Sequence, residues 1–296
     1  MNSEYRIKIA IAAPARKIAR DEISFAIDWL HGRGFEAVFD DRLFSVDYIA
    51  AGSDDFRAAM LQEYMDRSDI DAIWMARGGY GSIRIIDKLD FTQFVMHPKP
   101  IIGFSDVTVF HGRFNRLGIP SIHASMPHHL DNKTPEALQS LVDALTGKPL
   151  HYEWTAYTLN RPGQADGEVV GGNLSVLCAM LGSNSFPETE GKILFIEEID
   201  EYIYHVERMM YGLKRAGKLD HLKALMIGGL TDIHDNPEPF GKTVEKAIFD
   251  VVKDYDYPVC FNFPAGHQPN NKAIYFGKKA KLSISGDGVH FLQLLG

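Results

Sequence analysis

Pro100-Ile101-Ile102-Gly103-Phe104-Ser105-Asp106 decides how this chain is read. The apolar run reads as a buried strand ending in a tight turn that carries a serine, and a helix over 107–117 starts just beyond it. Such a unit lifts a hydroxyl off the edge of a sheet and aims helix N-terminal amides at whatever the hydroxyl attacks. Outward from it, strand-like and helix-like segments alternate. Residues 7–12 form an apolar strand, 20–31 an amphipathic helix ending at Gly32 and Gly34, and 36–39 a second strand. Ser53 caps a helix whose first turn holds Asp54 and Asp55, and 72–75 is a third strand. This alternation predicts an α/β fold, with a mostly parallel sheet flanked by helices over residues 1–150.

From 151 to 167 the periodicity fades into mixed polar sequence with Pro162 and Gly163, which reads as a linker. Residues 168–296 read as a smaller C-terminal α/β domain. There a Gly171-Gly172-Asn173 turn precedes a helix over 174–181, followed by a strand at Ile193 and a helix through Met209. A strand over 225–227, a helix over 243–253 and a tail of short strands complete it.

Hydrophobic residues make up 45% and charged residues 24% of the 296-residue chain, the balance of a folded soluble protein. A net charge of -8 argues against a sequence-independent nucleic-acid binder, which needs a basic face. No apolar run approaches the roughly 18 residues that cross a bilayer. The polar start at 1–6 and Pro14 in the next apolar run read as the approach to a first strand, not as a secretory signal. Cys178 and Cys260 lack metal-ligand or CxxC spacing and read as buried reduced thiols, so a cytoplasmic setting is expected.

A serine hydroxyl needs a base. Glu197 follows the strand-like run 192–196, and His267 sits in the turn Pro264-Ala265-Gly266-His267. The order serine, acid, histidine suggests a serine hydrolase. Gly103-Phe104-Ser105-Asp106 also suits a plain helix N-cap, and it lacks the second glycine of Gly-x-Ser-x-Gly. Arg77-Gly78-Gly79-Tyr80-Gly81-Ser82 follows another strand end. Its glycines allow a tight bend that points amides at a ligand, whether a phosphate or an oxyanion, or simply a turn. The adjacent Glu197 and Glu198 resemble a metal site, but no histidine lies at short ligand spacing, so no metal is expected. His128-His129 reads as surface.

Five motifs together resemble the LD-carboxypeptidase family of serine peptidases, which includes muramoyl-tetrapeptide carboxypeptidases and microcin C7 self-immunity peptidases. They are Arg77 to Ser82 with Arg84, Ile102 to Thr108, Gly171 to Leu174, Leu194 to Glu198 with Glu207-Arg208, and Gly266-His267 with a downstream asparagine. The likeness runs from Ile9 to about Ile284. It implies Ser105 as nucleophile, His267 as general base and then acid, Glu197 as the residue that orients the imidazole, and the amides of Gly79 and Asp106 as oxyanion hole. Arg77, Tyr80, Arg84 and Asn173 lie in the matching motifs and are the expected substrate contacts, although the arginines could instead brace the glycine loop.

The resemblance further implies a cofactor-free, homodimeric enzyme that releases D-alanine from murein tetrapeptides in cell-wall recycling. The alternatives are a microcin-type immunity peptidase acting on an aminoacyl or peptidyl nucleotide, and a nonenzymatic binding protein for a small anionic ligand. Two positions depart from the family pattern: His123-Ala124-Ser125 stands where His-Gly-Pro is common, and Ala13-Pro14-Ala15 where serine or threonine often follows the proline.

Overall fold

The computed structural model describes residues 6–295, so positions 1–5 of the polar start lie outside the described residues. Five short strands form the first sheet: β1 (Lys8–Ala12), β2 (Glu36–Val38), β3 (Ala72–Met75), β4 (Ile101–Gly103) and β5 (Ser121–His123). They run parallel in the order β2-β1-β3-β4-β5. β3 and β4 are buried at every position, as expected of strands covered on both faces.

The helices are α1 (Asp21–His31), α2 (Asp54–Asp66), α3 (Ser82–Ile85), α4 (Thr92–Met96), α5 (Thr108–Arg116), α6 (Pro135–Leu145), α7 (Leu174–Ala179), α8 (Ile203–Arg215) and α9 (Val244–Val252). In α1, Ile23, Ala26, Trp29 and Leu30 recur on one face and are buried, while Asp21 and Glu22 complement the dipole at its start. Ser53 Oγ accepts from the Phe56 amide at 3.3 Å and caps α2 as expected.

A second sheet follows, made of β6 (Leu150–Trp154), β7 (Gly163–Asn173), β8 (Ile193–Ile199), β9 (Ala224–Thr231), β10 (Val259–Cys260), β12 (Lys279–Ile284) and β13 (Val289–Gln293) in the order β10-β9-β8-β7-β12-β13-β6. β7 to β10 are parallel, and the other three are antiparallel. The intervening β11 (Ile274–Phe276) crosses back to pair antiparallel with β5 at the edge of the first sheet.

Within the stretch 151–167, expected as a linker, residues 151–154 belong to β6 and 163–167 to β7. β6 buries Leu150 and Tyr152 and exposes His151 and Glu153, so half of its side chains face solvent. A one-sided strand of this kind reads as polar sequence even though its period is two. The expected turn at Gly171-Gly172-Asn173 is instead the end of β7. A Cβ at Gly171 would come within 1.8 Å of the Phe195 carbonyl oxygen, and one at Gly172 within 2.3 Å of Thr108 Oγ1. The glycines let α5 and β8 close on β7 from two sides.

α5 joins the halves, because Phe110 and Phe114 share one buried core with Val170, Leu174 and Leu194. β1 lies between β2 and β3, so the strand order reverses there. In open sheets of this kind, ligands bind beyond the carboxyl ends of the strands near such a reversal. The segments after β1, β3, β4, β5, β8 and β10 all converge on one cavity there.

Candidate active site

Ser105 begins a single 3₁₀ turn between β4 and α5, with φ of 64° after an extended Phe104. An L-residue in this left-handed region costs about 1–2 kcal/mol, a cost that the surrounding contacts must offset. The glycine loop after β3 supplies them. A Cβ at Gly78 would lie 3.2 Å from Ser105 Cβ and 3.3 Å from Ser105 Oγ, so the loop backbone rests against the serine. Asp106 is buried, and its Oδ2 accepts from the Ser82 amide at 2.9 Å, which ties the start of α3 to the serine turn. Burial pushes the Asp106 carboxyl up, and the Ser82 amide opposes that shift.

Arg57 braces the loop from behind. Only 1% exposed, it donates to the carbonyls of Pro14, Gly81 (3.1 Å) and Gly52 (3.2 Å) and pairs with Asp54. A buried guanidinium with four of its five N–H donors engaged holds three backbone segments in register. Among the described residues, the amides of Gly79 and Asp106 have no protein acceptor. They are left to bind a ligand oxygen or water.

Glu197 lies where β8 shifts register against β9, an irregularity of the kind that re-aims side chains beside functional sites. Two adjacent acids are thereby buried with different partners. Glu197 Oε2 accepts from His267 Nδ1 at 2.6 Å and from the His267 amide at 3.2 Å. The Glu198 carboxylate is held by Asn173 Nδ2 at 2.8 Å and by the Ser175 and Ile199 amides at 2.7 and 2.9 Å. Glu198 therefore secures the start of α7, and Glu197 alone reaches the imidazole.

Burial disfavours the His267 imidazolium. The charge and hydrogen bond of Glu197 outweigh burial and raise the pKa above the ordinary value. The turn that presents His267 needs glycine, since Gly266 has φ of 115° and a Cβ there would come within 2.9 Å of Glu197 Cβ. Asn271 Oδ1 accepts from the Gly266 amide at 2.8 Å and lies 3.2 Å from His123 Nε2. The departure at 123–125 thus sits directly behind the histidine turn.

Ser105 and His267 line the same cavity, of about 740 Å³, together with Gly79 and Phe104. The Phe104 ring lies 4.8 Å from the His267 ring, centre to centre. Among the expected substrate contacts, Arg77 reaches the cavity, but it donates to the Lys17 carbonyl and lies 3.5 Å from Glu22. Tyr80 is half exposed and outside the lining. Arg84 pairs with Asp54 at 2.8 Å on the α2 side, in the bracing role. Asn173 is buried and caps α7 through Oδ1, which accepts from the Val176 amide. None of these three lines the cavity: capping engages Asn173 and bracing engages Arg84, while Tyr80 is half exposed outside it.

Sequence reasoning missed Arg16, Lys133 and Asp200, which line the cavity; of the pair read as surface, His129 is exposed and His128 partly buried, and both line the cavity as well. Burial brings the His128 imidazole down to about 4. The only signal for these residues was position, just beyond the carboxyl ends of β1, β5 and β8. Among the described residues, the one grouping of histidine and acid spaced to share a cation is His151, Glu153 and His290, exposed on β6 and β13 and outside this cavity. Cys178 and Cys260 are unpaired, Cys178 only partly buried, and burial raises both thiols. No helix among the described residues is long and apolar enough to cross a membrane.

Residues 9–124 match the LD-carboxypeptidase N-terminal domain, and residues 166–282 match the LD-carboxypeptidase C-terminal domain. The probable murein peptide carboxypeptidase of Bacillus subtilis is 31% identical over 287 residues, covering 94% of this chain and 89% of that protein. The crystal structure of muramoyltetrapeptide carboxypeptidase from Oxalobacter formigenes superposes with a TM-score of 0.89 at 26% identity, over 97% of this chain and 98% of that one. The microcin C7 self-immunity protein MccF of Escherichia coli is 28% identical over 251 residues, 73% of each chain. The chain therefore belongs to the LD-carboxypeptidase family and is a serine-type carboxypeptidase.

Proposed function

We propose that this enzyme hydrolyses the amide joining the L-centre of a diamino acid, such as meso-diaminopimelate or lysine, to the terminal D-alanine of a murein tetrapeptide. The observation that carries the reading is the buried Glu197 carboxylate on His267 Nδ1 at 2.6 Å, in the cavity that also holds Ser105. A carboxylate accepts only, so the proton sits on Nδ1 and leaves Nε2 free to act as base.

Ser105 Oγ attacks the scissile carbonyl while His267 takes its proton. The oxyanion is held by the amides of Gly79 and Asp106, donors of a kind worth about a hundred- to thousandfold each. Collapse breaks the C–N bond, and His267 returns the proton to the departing amine. Water then repeats the sequence on the ester, releasing the tripeptide acid and regenerating Ser105. A cytoplasmic homodimer serving cell-wall recycling is part of this reading.

The similarity to the microcin immunity protein makes a nucleotide-linked aminoacyl substrate the second reading. It needs an aromatic platform for the base. The rings of Tyr202 and Tyr204 pack on each other, Trp154 Nε1 donates to the Phe261 carbonyl, and none of the three lines the cavity. That favours the murein peptide.

Incubation with L-Ala-γ-D-Glu-meso-diaminopimelyl-D-Ala, followed by mass spectrometry for free D-alanine, tests the proposal. Wild type should release it and Ser105→Ala should not. Release by neither would move the substrate to the nucleotide-linked class.

A further inference from the structure

A carboxypeptidase acts only at a chain end, so its site must recognise a terminal carboxylate. Three cations reach the cavity: Arg16, Arg77 and Lys133. Arg77 is engaged by Glu22 and the Lys17 carbonyl. The stem of Arg16 lies over Gly79, where a Cβ would fall 2.2 Å from its Cδ, so it stands on the side of the oxyanion amide.

Lys133 differs from both. It follows β5 and precedes α6, and its Nζ donates to the Gln268 carbonyl at 3.2 Å, one residue beyond His267. The same ammonium lies 5.9 Å from the centre of the Phe104 ring that packs on His267. Among the described residues no carboxylate pairs with it or with Arg16, but Arg16 is exposed, whereas Lys133 is partly buried, which lowers its pKa. A half-buried cation without an acid partner keeps its desolvation cost uncompensated until an anion arrives.

The chemistry decides which side of Ser105 that anion occupies. His267 gives its proton to the departing amine, and in an amino-acid leaving group the carboxylate is one carbon away from that nitrogen. A cation beside His267 therefore faces the leaving group, whereas one over Gly79 faces the oxyanion. On this basis, which rests on the serine–histidine reading above, we propose that Lys133 receives the terminal carboxylate of the departing D-amino acid and so confines the enzyme to free chain ends.

The test compares kcat/KM for the tetrapeptide ending in D-alanine with that for the same peptide ending in D-alaninamide. Wild type should prefer the free acid. Lys133→Met should collapse that preference by roughly 10- to 100-fold, the range for a hydrogen bond to a charged group, and Lys133→Arg should restore part of it. Thermal melts of each variant separate this effect from misfolding. A Lys133→Met enzyme that keeps the preference, or an Arg16→Met enzyme that loses it, overturns the proposal. Fluorophosphonate labelling of the wild type separates the two levels. No adduct at Ser105 removes the underlying serine reading, whereas a labelled protein that cleaves the free-acid peptide, with a preference that Lys133→Met leaves unchanged, overturns the Lys133 assignment alone.

Discussion

Glu197→Gln removes one charge and nearly preserves shape. Glu197 is fully buried, and its Oε2 accepts from His267 Nδ1 at 2.6 Å. With charge centres about 4 Å apart and an effective dielectric near 20, the attraction between this carboxylate and an imidazolium is about 4 kcal/mol. If the imidazolium forms fully in the transition state, its loss is worth about a thousandfold in rate. Glu197 Oε1 has no partner, so an amide nitrogen placed there is buried without an acceptor and costs about 1–3 kcal/mol of stability.

The pH profile adds a second readout with a definite sign. Burial pulls the His267 pKa down, and Glu197 overrides it, so the folded value lies above 6.5. Without the Glu197 charge, burial and the nearby Lys133 ammonium are opposed only by the smaller influence of Glu198, and the value falls. The base must be neutral, so activity rises as pH passes through this pKa. The acid limb should therefore move to lower pH while the plateau drops. D-alanine release followed from about pH 5 to pH 9 measures both. A plateau loss smaller than about tenfold, or an acid limb that stays put or moves upward, refutes the reasoning.

Ser105→Ala and Ser105→Gly should both be inactive, yet the glycine variant should be the more stable by roughly 1 kcal/mol, since only glycine adopts φ of 64° without strain. Denaturant melts with the order reversed would show that the turn is unstrained. Gly266→Ala should lose about 2 kcal/mol or more of stability, because its Cβ would press on Glu197 Cβ and Oε2 at 2.9 and 3.0 Å. It should also lose on the order of a hundredfold in kcat, as expected for a displaced catalytic base. Near-normal activity would mean that the His267 turn tolerates the shift.

The strand–turn–helix around Ser105 and the βα alternation before it were legible because buried parallel strands are uniformly apolar and their ends are marked by glycine. The pairing of His267 with Glu197 and not Glu198 was not legible from spacing, since both acids are buried and a register shift in β8 decides which one points at the ring. β6 and the start of β7 were hidden because one face of each is polar. The return of β11 to the first sheet is a long-range pairing that no local pattern encodes. Lys133, Arg16 and the His128-His129 pair reach the cavity because loops from separate strands converge, and motif reading favours the residues inside motifs over those beyond them. Asn173, Tyr80 and Arg84 show the converse, as each sits in a motif and none lines the cavity.

The central claim is that Ser105 is the nucleophile activated by His267. Intact-mass analysis and peptide mapping after treatment with a fluorophosphonate test it most directly. One adduct on Ser105, absent from His267→Ala at the same exposure time, is the predicted result. Adduct on another residue, or labelling of Ser105 that proceeds equally fast without His267, would contradict it.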